Sequence, residues 1–314
     1  MTLKKLSTIY QKEYCNQQKL KILKATTRAH LAVFFANLIF GVNFSIVKYI
    51  TPSMIKPFGL NVVRVLVTSV LLWIMYVIQP KGARIRKEDF RLLLLCALTG
   101  VTTNQLLFIK GLSMTYSTHA SLLILSTPLL ITVMAFAVLK ETMSWQRIAG
   151  LICGISGAMI LILSGKKSGA GNQVILGDIF VILNAISYSF YFILVKPLLL
   201  RYTPVQILRW VFTLGGLMIL PFGWNEFTGT DWQAFTVLHW AALAFVVLGA
   251  TFLAYLLNIY GLGHLKASST GTYIYIQPFF AALVAILFLN EPITVDKLIS
   301  ALLIFTGVFL VNKK

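Results

Sequence analysis

Charge is scarce in this chain of 314 residues: 11% of it is Asp, Glu, Lys or Arg, and only 9 residues are acidic. Soluble domains carry roughly 25% charged residues. So little charge cannot keep a core of 58% hydrophobic residues in water, so a soluble globular protein is excluded and the bulk of the chain must face lipid. Cysteine is nearly absent too. Cys15, Cys96 and Cys153 are scattered, odd in number and without ligand spacing, and argue for neither disulfides nor a metal. His30, His119, His239 and His264 are dispersed near span ends, so the clustered His, Asp or Glu of a membrane enzyme is missing. No catalysis and no cofactor are expected. The glycine-rich Gly165-Lys166-Lys167-Ser168-Gly169-Ala170-Gly171 lacks the spacing of a nucleotide-binding loop and reads as a linker.

What is present is apolar sequence in long runs, with mean hydropathy +0.84. Ten stretches of spanning length fall at about 30–50, 58–78, 90–112, 119–139, 146–164, 177–198, 205–222, 237–262, 269–289 and 297–312. Runs such as Leu92 to Leu95 do not alternate, which excludes a β-barrel. The expected class is an all-α integral membrane protein with ten transmembrane helices.

The 27 Lys and Arg against 9 Asp and Glu leave a formal charge of +18, which in a soluble protein would raise nucleic acid as a partner. Their placement says otherwise. With ten spans both termini share a side, and that side holds eighteen of the 27 basic residues, the opposite side four and the spans five. By the positive-inside rule the termini are cytoplasmic, and no nucleic acid is expected. The basic tail, 1–29, either lies on the anionic membrane surface or is a disordered topology signal. No cleavable signal is evident.

The chain repeats itself. At an offset of 150, without a gap, Gly111 pairs with Gly261, Pro128 with Pro278, Glu141 with Glu291 and Gly157 with Gly307. Phe44-x-x-Val47-Lys48 matches Phe192-x-x-Val195-Lys196, and Arg64 matches Arg209, at slightly smaller offsets. The organisation is therefore a tail (1–29), a first five-helix repeat (30–164), a linker (165–176) and a second five-helix repeat (177–312). Five is odd, so the copies enter the membrane from opposite sides as inverted repeats, an arrangement that lets a central site open alternately to either side. That implies transport without naming a cargo.

The Gly-x-Asn-Phe-x-x-x-Lys stretch (Gly41, Asn43, Phe44, Lys48), Arg64 in the second span, the Gly-Leu turn after the third and the Pro then Glu spacing of spans four and nine resemble the EamA family of the drug/metabolite transporter superfamily, over about residues 30–312. The resemblance implies a bacterial inner-membrane permease, often an exporter of amino acids or other small metabolites.

Polar side chains are costly against lipid and turn to a cavity or to another helix. Helical spacing collects Asn37, Gly41, Phe44 and Lys48 on one face; Asn184, Ser187, Tyr188 and Tyr191 on another; Thr251, Tyr255 and Asn258 on a third; and Thr270, Tyr273 and Gln277 on a fourth. Thr103, Asn104 and Gln105 follow one another, so at least one faces protein, and His119 and Ser126 lie seven apart. With Asn43 these are candidates to line a substrate path; the alternative is hydrogen bonding between helices. Pro128 and Pro278 should bend their spans. Arg64 and Arg209 are either gate groups or bind helix-end carbonyls, while Lys48, Lys110 and Lys196 can snorkel. Glu141 and Glu291 offset the dipole of a following helix. The Gly150-x-x-x-Gly154-x-x-Gly157 face permits close contact, within the protomer or between two. No acidic residue falls at midplane, so facilitated transport or exchange of a small amphipathic metabolite is the simplest expectation. A phosphorylated or nucleotide-linked cargo, or a membrane binding or assembly protein that transports nothing, are the alternatives.

Overall fold

A computed structural model describes residues 3–78, 80, 84–139, 144–167, 171–265, 270–271, 273–289 and 294–312. Lys81, Lys140, Glu141, Lys266, Glu291, Lys313, Lys314 and the middle of the 165–176 linker lie outside them. The described residues are helical throughout, with no strand among them. Lipid explains this, because a helix satisfies every backbone donor and acceptor within one segment.

Helix α1 (Leu3–Ile50) is unbroken by Gly or Pro until Gly41, and carries the basic tail into the first span as one helix. Then come α2 (Pro57–Ile78), α3 (Phe90–Ala97), α4 (Thr103–Met114), α5 (Ser117–Ile124), α6 (Thr127–Leu139) and α7 (Trp145–Lys167). The second half holds α8 (Gly171–Leu194), α9 (Lys196–Leu199), α10 (Pro204–Thr228), α11 (Val237–Ala244), α12 (Ala254–His264), α13 (Gln277–Leu289) and α14 (Val295–Asn312). Among the described residues, six continuous helical stretches are long and apolar enough to cross a membrane: Ala25–Ile50, Pro57–Ile78, Lys87–Met114, Gln173–Leu199, Pro204–Thr228 and Val237–His264. Ser117–Ile131, Ile148–Leu163 and Tyr273–Leu289 are apolar but shorter. Spans four and nine are each interrupted. One opens at Leu125–Ser126 and restarts at Thr127; the other passes from a tight 3₁₀ turn, Tyr273–Ile276, into α13. Pro128 and Pro278 thus sit second in new helices, where the missing amide costs least.

Spans three and eight are also irregular. Between α3 and α4 the turns widen into a π-helix at Leu98–Thr102, and between α11 and α12 at Phe245–Leu253. The two lie at matching places in the repeat.

Partners exchange between the halves. α1 packs on α12 and α13, as α8 packs on α4 and α6; α2 pairs with α10, and α7 with α14. A Cβ on Gly307 would lie 2.5 Å from the Gly150 carbonyl oxygen and 2.6 Å from the Gly154 nitrogen. The small face of α7 is therefore spent within the chain. One buried cluster gathers about Phe44 and the other about Phe192, which are equivalent residues. Large apolar side chains such as Val70, Val77, Leu287 and Phe288 face outward.

Charges lock the connectors. Asp89 accepts from Arg201 Nη1 (2.9 Å) and from the Tyr202 hydroxyl (2.6 Å), tying the segment before α3 to the turn before α10. Burial first, and this bond second, raise the Tyr202 phenol above its ordinary pKa. Lys48 Nζ donates to the carbonyls of Leu112 (3.4 Å) and Ser113 (3.1 Å) at the end of α4.

Candidate functional site

A central cavity of about 670 Å³, open part included, lies where α1, α2, α4, α8, α12 and α13 converge. Of the residues expected on a path, Asn37, Asn43, Asn104, Asn184, Tyr188, Tyr255, Asn258 and Gln277 line it, together with Arg64. Phe40, Phe44, Phe108, Phe192, Ile124 and Ile274 complete an apolar and aromatic wall.

The lining repeats like the sequence. Phe44 faces the cavity with Phe192, Gln105 with Tyr255, Phe108 with Asn258 and Ile124 with Ile274, each pair equivalent between the halves. Gln105 and Tyr255 also touch. Gln105 Nε2 donates to the Tyr255 hydroxyl at 2.7 Å, which donates in turn to Asn104 Oδ1 at 3.3 Å. Equivalent residues of the two halves thus meet at the cavity.

Most of the polar lining is paired across helices. Gln277 Nε2 donates to Asn37 Oδ1 (2.6 Å), and Asn37 Nδ2 to the Val33 carbonyl (2.8 Å). Asn258 Nδ2 donates to the Tyr188 hydroxyl (2.8 Å), and Asn184 Nδ2 to the Asn104 carbonyl (2.8 Å). Two groups are left over. Arg64 is 2% exposed; its Nε donates to Thr251 Oγ1 at 2.8 Å, while its Nη1 has no partner. Asn43 Oδ1 has none either. Buried polar atoms are almost always bonded, so a donor and an acceptor without partners in one cavity make it the candidate site.

Other expected residues lie elsewhere. Ser126 turns its hydroxyl to the Leu123 carbonyl (2.6 Å) at the break before α6. Tyr191 stacks on Tyr188, with ring centroids 6.0 Å apart, and fills the space left by Gly100. Tyr273 bonds His30 Nδ1 at 2.9 Å, outside the cavity lining. Pro128 and Pro278 shape α6 and α13 without lining the cavity. Arg209 is remote from it and lies 3.6 Å from the Tyr76 ring centre and 4.4 Å from that of Trp73. The two arginines, equivalent in sequence, occupy unlike surroundings. Gln105 and Thr251 were legible only as members of polar runs.

No carboxylate lines the cavity among the described residues. Asp178, placed at a span end by sequence, is wholly buried; it accepts from the Thr115 hydroxyl and meets His119 Nδ1 at 3.2 Å, away from the cavity.

Comparison with known proteins bears on this cavity. The profile described as the EamA-like transporter family matches the chain twice, over residues 27–163 and 175–313. The transporter YetK of Bacillus subtilis, described as uncharacterized, is 27% identical over 78% of this chain and 75% of its own length. A probable terminal-alkyne amino-acid exporter of Streptantibioticus cattleyicolor is 29% identical over 82% of this chain and 84% of its own. A solved crystal structure shares the fold, with TM-score 0.65 and 16% identity, over 91% of this chain and 96% of that one.

Proposed function

The chain belongs to the EamA-like transporter family, and on that premise we propose that it carries a small zwitterionic metabolite, an amino acid in class, by alternating access of the central cavity. Family and apolar helices make it a multi-pass membrane transporter and not an enzyme. The finer reading is ten spans in two inverted repeats, 30–164 and 177–312, joined by 165–176, with the tail 1–29 and both termini in the cytoplasm beneath an inner or plasma membrane. The positive-inside bias, the exchange of helix partners and the contact of Gln105 with Tyr255 support it.

One observation carries the cargo assignment: an unpaired donor, Arg64 Nη1, and an unpaired acceptor, Asn43 Oδ1, line the same aromatic-walled cavity. A carboxylate suits the first, since guanidinium to carboxylate bonds are charge-assisted, and an ammonium suits the second. Phe44, Phe108 and Tyr188 receive the apolar part. The S. cattleyicolor relative's description as an amino-acid exporter points the same way. A phosphorylated cargo would want several cations, and Arg64 is the one lining the cavity among the described residues. An assembly protein that transports nothing would have no need of converging polar faces.

The test is a screen of metabolites released by cells with and without the protein, followed by transport in proteoliposomes. An amino acid is expected to emerge, with KM raised roughly 10- to 150-fold by Arg64→Gln, the worth of a charge-assisted hydrogen bond. Transport of cations alone, or an unchanged KM in the variant, would refute the assignment. Gln277→Ala is expected to alter kinetics too, by freeing Asn37.

A further inference from the structure

Outside the cavity, an open recess of about 1390 Å³ lies between the end of α2, the segment leading into α3 and the start of α10. Arg84, Arg86, Lys87 and Arg209 line it, and no carboxylate does among the described residues. The nearby Asp89 is engaged by Arg201 and Tyr202.

Arg209 is the unusual member. It is 5% exposed, and neither its Nε nor its Nη1 has a hydrogen-bond partner. Its flat face rests on Tyr76 and Trp73, which accounts for the charge in part and leaves the edge donors open. Trp210 Nε1, on the same wall, is unpaired as well. The stack is held by design of the helices: Thr213 Oγ1 donates to the Arg209 carbonyl (2.7 Å) and accepts from Trp73 Nε1 (2.9 Å). Two donors of Arg209 and one of Trp210 without partners, beside three further cations, describe a receptor for an anion with several acceptor oxygens, and a guanidinium fork matches phosphate.

The second wall of the recess extends the argument. Trp73 also borders an apolar groove along α2 formed by Val70, Ile74, Val77 and Ile78, whose side chains are exposed. A cationic recess that opens into an apolar groove on a lipid-facing helix has the form of a phospholipid. We propose that this site binds an anionic phospholipid, with the headgroup phosphate on Arg209, Arg84, Arg86 and Lys87 and an acyl chain along α2. Basic pockets at the cytoplasmic ends of spans hold such headgroups. The site shares no residue with the central cavity, so it stands apart from the cargo assignment.

The full-length protein, stripped of lipid in detergent, is titrated with phosphatidylglycerol, phosphatidylcholine and sn-glycerol 3-phosphate, and bound copies are counted by native mass spectrometry. Phosphatidylglycerol is expected to bind at least tenfold more tightly than phosphatidylcholine, and glycerol 3-phosphate not to displace it at equal concentration. Each basic residue removed should cost about five-fold, so the exposed triple variant Arg84→Gln, Arg86→Gln, Lys87→Gln weakens binding by about a hundred-fold; Arg209→Gln acts in the same direction. Undiminished phosphatidylglycerol binding by the triple variant overturns the proposal, as does equal binding of the zwitterionic lipid. Displacement by glycerol 3-phosphate overturns it in favour of a soluble phosphate ester.

Discussion

Among single buried residues, hydrogen-bond pairing separates those that hold the fold from those left free to meet a ligand. Asp178 has no exposure, is bonded by Thr115 and His119, and joins α8 to the turn before α5 and to α5 itself. Removing it leaves a hydroxyl and an imidazole facing nothing, and hydrogen bonds to a charged group are worth about 1.5–3 kcal/mol. Asp178→Ala is therefore expected to lower stability by about 2 kcal/mol, seen as a fall in the thermal midpoint in detergent, while KM stays unchanged; an unaltered midpoint would contradict the structural role. Arg64 lies at the other extreme, buried with a donor to spare. Sequence spacing found Asn37, Tyr255 and Gln277 because a polar atom on an otherwise apolar face has few places to go. It left Arg64 either a gate group or a partner of helix-end carbonyls, because depth along a helix does not say which way a side chain turns; α2 packs on the π-helical part of span eight, and Arg64 lines the cavity. Tyr191 and Tyr273 shared the right helical faces, but packing against Gly100 and a bond to His30 keep them off the cavity lining.

At the level of elements, the widened turns of spans three and eight place the cavity residues. Each ends beside a threonine that bonds back to the carbonyl five residues earlier: Thr102 to Ala97 at 3.3 Å, and Thr251 to Val246 at 2.7 Å. Asn104 and Gln105 follow the first, and Tyr255 and Asn258 the second. Such turns cluster at functional sites. Their further partners differ: Thr251 accepts from Arg64, whereas Thr102 reaches the Gly215 carbonyl at 3.4 Å on α10. Thr251→Val should therefore impair both helix and cargo site, raising KM several-fold, whereas Thr102→Val should reduce stability by about 1 kcal/mol with KM unaltered. Proteoliposome kinetics and thermal unfolding together separate the two, and an equal effect on KM would remove Thr251 from the site. The helices themselves were legible from apolar length. The widened turns were not, because one extra residue in a turn leaves an apolar run apolar. The prolines signalled the breaks in spans four and nine, but the helix restarts at the proline instead of bending through it.

For the whole molecule, pseudo-symmetry and the distribution of charge together constrain how energy could enter. The duplicated Gly, Pro, Glu and Gly series made the two halves readable in the sequence, and the cavity repeats them in Phe44 with Phe192 and Gln105 with Tyr255. On the proposed alternating access, in which two equivalent halves exchange conformations, a cargo gradient alone suffices to drive the cycle. Coupling to protons needs a group that binds a proton in one conformation and releases it in the other, and such groups are usually carboxylates facing the pathway. Among the described residues no carboxylate lines the cavity, and Asp178 spends its oxygens on Thr115 and His119 outside it. Flux in proteoliposomes should accordingly persist when the proton gradient is collapsed by an ionophore and a cargo gradient is supplied. Complete loss of flux, with the cargo gradient verified as intact, would show that a proton is carried after all and would turn attention to the His119 and Asp178 pair as its carrier.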